Sequence, residues 1–200
     1  MAGGAGRRFG SLKQYALVGG RRILDRSRDV AEAVSDGVVL VVPPDDVERE
    51  GGVAGGDSRS DSVRAGLDAV PSEATIICVH DAARPFATTD LYGRVIAAIR
   101  DGVSGAVPGV AVADTIKVVE DDVVVSTPDR ATLVAVQTPQ AFDARALRAA
   151  HAAGGDATDD AALVEARGGT IVVVTGEPMN RKITVPDDLE WARRMAAAGE

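Results

Sequence analysis

The first thirteen residues of the chain combine glycines with cations in a way that suits the binding of a phosphate group. Gly3, Gly4 and Gly6 stand within four positions, and Arg8 and Lys13 follow them. Glycine lets backbone N–H groups approach a ligand that a Cβ atom would keep away. Several N–H groups that point into one concavity bind an anion, and adjacent cations strengthen that binding. The segment predicts an anion-binding loop, although a glycine-rich stretch of this length is equally typical of a flexible terminus.

Lysine is rare in this chain, which makes each lysine a candidate for a special role. Lys13, Lys117 and Lys182 are the three lysines among 22 cationic residues, and the others are arginines. The lysine ammonium is a compact point charge, whereas the arginine guanidinium is a planar fork. A site that needs a compact cation is therefore expected to use these positions, with Lys117 the one that could simply decorate an exposed strand.

Asp81 and Arg84 directly follow an apolar run at residues 75–79 that is typical of a buried strand. In open α/β sheets, ligands bind outside the carboxyl ends of the strands. These two side chains are thus candidates for a binding site, and the plainer alternative is an ion pair that only closes the strand end. His80 fits a structural role at the same strand end better than that of a base.

Length and composition indicate one soluble globular domain that spans residues 1–200. Hydrophobic residues make up 46% of the chain and charged residues 26%. The net charge of −8 argues against a nucleic-acid partner. No apolar run approaches the roughly 20 residues of a membrane span, so no membrane association is expected. The single cysteine, Cys78, cannot form an internal disulfide and fits a reducing cytoplasm.

Buried strands alternate with amphipathic helices along the chain. β-Branched runs predict strands at residues 38–42, 75–79, 105–108, 133–136 and 170–174. Helices are predicted between them, including one that residues 60–62 cap and one that begins at residues 159–160. This order predicts a Rossmann-like α/β fold with a mostly parallel, three-layer αβα sheet.

Residues 110–132 differ from the rest of the chain and predict a projecting β-hairpin arm. Alternating β-branched residues flank an acidic turn at residues 120–122. A two-stranded hairpin is only marginally stable alone. We therefore expect a homodimer in which the arms of two subunits cross.

The predicted fold lacks one strand at its beginning. An anion-binding loop of this kind should follow a central strand, and Met1 stands where that strand would be. Burial of about five apolar side chains at about 1.5–3 kcal/mol each rivals the stability of a whole domain, roughly 5–15 kcal/mol. We expect that the native chain begins upstream of Met1, or that another segment fills this place.

An ordered set of motifs resembles one family, the 2-C-methyl-D-erythritol 4-phosphate cytidylyltransferases of the non-mevalonate isoprenoid pathway. The resemblance covers essentially the whole chain. Besides the glycine loop, it rests on motifs at residues 13–15, 55–62, 80–85, 114–117, 137–140 and 182–184. His-Asp-Ala-Ala-Arg-Pro at residues 80–85 and Thr-Pro-Gln at residues 138–140 are the most specific of them.

The resemblance implies a role for each matched residue. The site that binds CTP would consist of Ala2, Gly3, Gly4, Gly6, Gly56, Asp57, Ser62, Asp81 and Ala82. The catalytic cations would be Arg8, Lys13, Arg130 and Lys182, and Asp81 would hold Mg²⁺. Methylerythritol phosphate would contact Arg84, Thr115, Arg130, Lys182 and Thr184, with Thr115 and Arg130 reaching the site of the partner subunit.

The implied reaction is consistent with the side chains present. A substrate phosphate oxygen attacks the α-phosphorus of CTP in line and expels pyrophosphate, so the step needs positioning and charge neutralisation rather than a general base. Two alternatives remain. One is a cytidylyltransferase for another polyol phosphate, such as ribitol 5-phosphate, and the other is a catalytically inactive nucleotide-binding module.

Overall fold

The computed structural model describes residues 1–2 and 13–199. Gly3, Gly4, Gly6 and Arg8, to which the sequence assigns phosphate binding, lie outside the described residues. The described strands are β1 (Leu17–Val18), β2 (Arg21–Arg22), β3 (Val41–Val42), β4 (Val53–Ala54), β5 (Ile76–Val79), β6 (Gly105–Ala111), β7 (Val118–Glu120), β8 (Val123–Ser126), β9 (Val134–Val136), β10 (Gln140–Asp143) and β11 (Ile171–Thr175). The α-helices are α1 (Ile23–Glu32), α2 (Val47–Glu50), α3 (Arg59–Ala69), α4 (Thr89–Ala97), α5 (Ala144–Ala152), α6 (Asp160–Glu165) and α7 (Pro186–Ala198).

The central sheet has the strand order β11-β6-β10-β5, with β9 paired to β6. β11 runs parallel to β6, whereas β10 is antiparallel to both β5 and β6, and β9 is antiparallel to β6. The fold is α/β as predicted, but the sheet is mixed rather than mostly parallel. The difference arises at β9 and β10, which both run antiparallel to β6. β10 was not predicted as a strand, because its sequence Gln-Ala-Phe-Asp shows no β-branched run.

Helices cover both faces of this sheet, which explains why its strands are apolar on both sides. Ile77 and Val79 point to a cluster with Leu67 of α3 and Leu147 of α5. The alternate residues Ile76 and Cys78 point to the opposite face, where they meet Val95 of α4. The three-layer αβα arrangement follows from this alternation.

β7 and β8 form the antiparallel hairpin that the sequence predicts. Asp121 and Asp122 connect them with φ angles of 47° and 64°, as a two-residue type I′ turn requires. The valines of the hairpin are exposed: Val123 is 65% and Val124 is 54% accessible. Nothing in the described part of the chain covers this apolar surface.

Met1 and Ala2 lie between β3 and β5. The Met1 amino group donates to the His80 carbonyl at 2.7 Å, the Met1 carbonyl accepts from the Ala82 N–H at 3.0 Å, and the Ala2 N–H donates to the Val41 carbonyl at 2.7 Å. The predicted strand at residues 38–42 is regular only over its last two residues.

A second apolar cluster joins the C-terminal helix to the start of the chain. Ile183 is fully buried with Val18, Ile23 and Leu189. This cluster fixes the loop before α7 against β1 and α1, and it thereby places Lys182 and Thr184 at the edge of the fold. None of the helices in the described residues is long and apolar enough to cross a bilayer.

Candidate functional site

The site is centred on an ion pair between Asp81 and Lys182. The Lys182 Nζ lies 2.6 Å from the Asp81 Oδ2, although the two residues are 101 positions apart in sequence. Asp81 follows β5, and its side chain is only 15% exposed. Burial raises the pKa of this carboxyl, but the Lys182 ammonium, with Arg59 and the Met1 amino group, outweighs burial and lowers the pKa to about 2. Asp81 is thus a carboxylate at neutral pH.

Lys13 approaches the same place from the start of the chain. Its Nζ donates to the Ile183 carbonyl at 2.9 Å, directly beside Lys182. The Ile183 N–H in turn donates to the Ala83 carbonyl at 2.8 Å. The loop around Ile183 therefore brings two lysines to the carboxyl end of β5, which gives the site a net positive charge suited to phosphate.

A buried amide network holds this loop in position. The Asn180 Nδ2 donates to the Thr138 carbonyl at 2.8 Å, and the Gln137 Nε2 donates to the Glu177 carbonyl at 2.8 Å. The Arg84 Nη1 donates to the Asn180 carbonyl at 2.8 Å. The motif at residues 137–140 thus supports the loop of Lys182. The side chains of this motif form hydrogen bonds to other groups of the protein. Arg84 does the same through its bond to the Asn180 carbonyl.

His80 orients Asp81 through Thr138. The Asp81 N–H donates to the Thr138 Oγ1 at 3.0 Å, and this hydroxyl lies 3.1 Å from the His80 Nδ1. The His80 Nε2 faces the Arg84 carbonyl at 3.2 Å, so Nε2 carries the ring proton and Nδ1 accepts from Thr138. Burial lowers the pKa of His80 to about 3. The imidazole is neutral, and its role is structural, as the sequence indicates.

The loop at residues 56–62 is built around Ser62. The Gly56 N–H donates to the buried Ser62 Oγ at 3.1 Å. A Cβ atom on Gly56 would lie 2.4 Å from the Asp61 Cβ, so the close approach requires glycine here. Asp57 is exposed at the tip of the loop. The helix that follows is capped by Ser58 with Asp61 in a capping box, two residues earlier than the predicted cap at residue 60.

Arg59 is a feature of the site that the sequence interpretation missed. Its Nη2 lies 2.7 Å from the Asp160 Oδ2, and the second oxygen of Asp160 lies 2.9 Å from the His151 Nε2. The Asp160 side chain is fully buried. Burial raises its pKa, but the bonds from His151 and Arg59 prevail and lower it. Arg59 also lowers the pKa of Asp81, so its positive charge acts on the carboxylate of the candidate site.

A sequence model of the family IspD, 2-C-methyl-D-erythritol 4-phosphate cytidylyltransferase, matches residues 1–197. The chain belongs to this family. The cytidylyltransferase of that name from Geobacter metallireducens is 42% identical, over 96% of this chain and 93% of the relative. The bifunctional IspD/IspF enzyme of Anaeromyxobacter dehalogenans is 44% identical over 98% of this chain and 56% of its own length. The chain spans about half the length of such bifunctional relatives.

Solved structures agree with this assignment. The 2-C-methyl-D-erythritol 4-phosphate cytidylyltransferase of Thermus thermophilus superimposes with a TM-score of 0.84 at 36% identity, covering 98% of this chain and 96% of that chain. The 4-diphosphocytidyl-2C-methyl-D-erythritol synthase of Anaerococcus prevotii gives the same TM-score at 32% identity, covering 98% and 93%. The Rossmann-like fold predicted from the sequence is thereby confirmed.

Two groups of the predicted site residues have different surroundings. One group is held around the carboxyl end of β5 and the loop of Ile183, and consists of Lys13, Asp81, Ala82, Lys182 and Thr184. Thr115 and Arg130 lie on the arm instead. Both are exposed, and the Arg130 Nη1 donates to the Ala113 carbonyl at 2.6 Å, within the arm itself. The individual roles of these residues stay predictions.

Proposed function

We propose that the chain transfers a cytidylyl group from CTP to 2-C-methyl-D-erythritol 4-phosphate and releases pyrophosphate, as a step of isoprenoid precursor biosynthesis. One observation carries the proposal: two lysines lie at the same loop, with the Lys182 Nζ 2.6 Å from the Asp81 Oδ2 and the Lys13 Nζ 2.9 Å from the carbonyl of the next residue, Ile183. Membership in the cytidylyltransferase family supports the choice of nucleotide and acceptor.

The geometry suits a reaction that consists of positioning and charge neutralisation. The attacking phosphate of the acceptor is already ionised, so the side chains need to hold it in line with the α-phosphorus and to offset the charge that accumulates there. Lys182 would bind the attacking phosphate, with Thr184 beside it. Lys13, together with Arg8, would hold the phosphates of CTP. The backbone of residues 2–6 and the loop with Gly56, Asp57 and Ser62 would bind the nucleotide.

The residues present fit a Mg²⁺ ion that is held largely by substrate. Mg²⁺ is usually bound by one or two carboxylates and the phosphates of a nucleotide, rather than by a cage of protein ligands. Asp81 supplies one ionised carboxylate, and the described residues contain no cluster of three or more metal-binding side chains. Asp81 would hold the ion, which when bound adds positive charge against the phosphates. Lys182 would then turn from Asp81 toward the acceptor phosphate.

We further propose a homodimer that completes each site with the arm of the partner. Thr115 and Arg130 are exposed on the arm, where the Arg130 guanidinium donates to the Ala113 carbonyl. The exposed valines of β7 and β8 form an apolar surface of the kind that marks a protein interface. In the crossed dimer, the Arg130 guanidinium would bind the acceptor phosphate in the neighbouring site. The free thiol of Cys78 is compatible with a reducing cytoplasm.

A pyrophosphate-release assay with CTP, Mg²⁺ and an acceptor tests the proposal. We expect turnover with methylerythritol phosphate and at least a hundredfold lower kcat/KM with ribitol 5-phosphate. The preference would be reversed for a polyol phosphate enzyme of the other kind. CTP binding without release of pyrophosphate from either acceptor would instead identify an inactive nucleotide-binding module.

A further inference from the structure

Charged side chains contact the Tyr15 ring, two residues after Lys13. The Tyr15 hydroxyl donates to the Asp46 Oδ2 at 2.6 Å. The Arg49 guanidinium lies over the ring at 4.4 Å from its centroid, and the Arg22 guanidinium lies at 5.6 Å. Both distances are within the range of a cation–π contact. Tyr15 is thus held at its hydroxyl and over its ring.

The groups that hold Tyr15 are themselves fixed by ion pairs. The Arg49 Nη2 lies 2.8 Å from the Asp46 Oδ1, and the Arg49 Nε lies 2.8 Å from the Glu50 Oε1. Arg22 donates to Glu50 at 2.8 and 3.0 Å. It also donates to Asp25 through two bonds of 2.7 Å. Such charge-assisted, bidentate pairs define the positions of both partners. The Tyr15 cluster is the set of six residues joined in this way: Tyr15, Arg22, Asp25, Asp46, Arg49 and Glu50.

The Tyr15 cluster connects the segment of Lys13 to the body of the fold. Besides Tyr15, its members come from β2, α1, α2 and the turn before α2. The Asp46 and Glu50 side chains are buried. The Tyr15 ring also packs against an apolar cluster that contains Ala82, the residue after Asp81. The surroundings of Tyr15 therefore reach the carboxyl end of β5, where the candidate site lies.

Lys13 requires an anchor of this kind because its own segment is short. Residues Lys13–Tyr15 form a single turn of 3₁₀-helix, closed by a bond from the Ala16 N–H to the Lys13 carbonyl at 3.0 Å. One isolated turn is not stable by itself. Gln14 is buried, but its Nε2 has no hydrogen-bond partner in the described part of the chain. Since the Lys13 ammonium stands at the end of a flexible four-carbon stem, its position depends on how firmly this turn is held.

We propose that Tyr15 is a positioning residue for the cytidylyl transfer, which fixes the turn of Lys13 so that the Lys13 ammonium meets the phosphates of CTP. This inference rests on the proposed function for the role of Lys13. Tyr15 acts through Lys13 and does not touch the substrate, because its hydroxyl and its ring are both engaged by the protein. Burial and the bond to the Asp46 carboxylate raise the pKa of Tyr15 to about 12, so the phenol keeps its proton at neutral pH.

The test compares the two tyrosines of the chain. Tyr15→Phe removes the bond to Asp46 and keeps the ring. We expect this variant to fold, because Asp46 retains Arg49 as its ion-pair partner. Tyr92→Phe is the matched control, since the Tyr92 hydroxyl is buried and has no hydrogen-bond partner among residues 1–2 and 13–199. If Tyr15→Phe does not fold, Arg49→Ala takes its place, because it removes a 56% exposed guanidinium from over the same ring.

The first readout is the Lys13 side chain itself, observed without substrate. The chain contains three lysines, so a protein labelled with ¹³C and ¹⁵N in lysine alone gives three Cε–Nζ signals in NMR, and Lys→Arg substitutions assign them. We expect Tyr15→Phe to shift the Lys13 signal and to lower the order parameter of its Cε. Tyr92→Phe should leave this signal in place, and the signal of Lys117 on the arm should not respond to either substitution. An unchanged Lys13 signal in Tyr15→Phe would overturn the proposal.

The second readout is a double-mutant cycle on pyrophosphate release with CTP and methylerythritol phosphate. Because Tyr15 acts through Lys13, we expect Tyr15→Phe to lower kcat/KM for CTP at least fivefold in the unmodified chain and less than twofold in Lys13→Ala. A purely structural role would cost the same factor in both backgrounds, and that result would also overturn the proposal. If the unmodified chain releases no pyrophosphate, the proposed function fails, and the Lys13 signal alone decides whether Tyr15 positions this lysine.

Discussion

Lys182 and Asp81 form the ion pair on which the candidate site is built, with 2.6 Å between the Nζ and the Oδ2. The loop that carries Lys182 is anchored by the fully buried Ile183 side chain. The backbone of Asp81 is held by the Thr138 hydroxyl, which accepts from the Asp81 N–H at 3.0 Å. Both charges are thus held at the carboxyl end of β5, and charged groups placed in advance are what a transfer between phosphates requires.

Replacement of this lysine tests its role in the chemical step. We expect Lys182→Ala to lower kcat by roughly 100-fold to 1,000-fold, the usual cost of removing one group that stabilises the transition state. The Kd for CTP should change less than threefold, since Lys182 is assigned to the acceptor phosphate. Steady-state kinetics and calorimetric titration with CTP measure the two quantities.

Arg145→Ala is the matched control, because it removes a cation that is 94% exposed. A tenfold weaker CTP affinity with normal kcat would show that Lys182 belongs to the CTP half of the site instead.

The ion pair also predicts how stability depends on pH. The pKa of Asp81 is about 2 in the folded protein, whereas the ordinary value for an aspartate side chain is 3.8. A lowered pKa stabilises the folded state above the ordinary pKa, and this stabilisation is lost as the pH falls through about 4 toward 2. It amounts to about 2 kcal/mol. Between pH 6 and pH 2, the free energy of unfolding in urea should therefore fall by about 2 kcal/mol more in the unmodified chain than in Asp81→Asn. Parallel curves for the two proteins would contradict this.

Much of the fold follows from local patterns, and the exception shows where such patterns fail. The β-branched runs predicted β5, β6, β9 and β11 to within a few residues. β10 was missed because its residues lack that signal. It becomes a strand through pairing on both edges, with β5 and with β6, and tertiary pairing of this kind leaves little trace in a local sequence.

The same limit applies to the site. Asp81 and Lys182 could be assigned because each lies in a motif of the family, whereas no motif connects Arg59 with Asp160. These two residues are 101 positions apart, and the helix start at Asp160 explained the aspartate without a partner. An acidic residue at a helix start and an arginine near another helix start are common in any chain. Their contact is visible only once α3 and α6 pack side by side.

The buried Asp160 should be one of the most sensitive positions for stability. Asp160→Ala would leave the Arg59 guanidinium and the His151 ring without their shared partner. Removal of one member of a buried pair costs about 3–5 kcal/mol, because the remaining charge stays buried and unpaired. Urea unfolding at pH 7 measures this loss. Asp68→Asn, an exposed aspartate on the same helix as Arg59, should change the free energy of unfolding by less than about 0.5 kcal/mol. A similar small change in Asp160→Ala would show that the pair contributes little.

The arm prediction can be tested by mixing two inactive variants. In the proposed dimer, each site combines Lys182 of one chain with Arg130 of the other, so Arg130→Ala and Lys182→Ala should each be inactive alone. A heterodimer of the two variants contains one site in which both residues are intact. Random pairing of equal amounts makes half of the dimers heterodimers, and activity should return to about a quarter of the unmodified level. Chains are unfolded and refolded together so that subunits exchange, and pyrophosphate release is measured.

The control adds the double substitution Val123→Asp, Val124→Asp to both chains. It should give monomers in sedimentation velocity and abolish the recovery, because charges then replace the exposed valines of the arm. Recovery in these monomers, or no recovery in the mixed dimers, would show that Arg130 does not act across the interface.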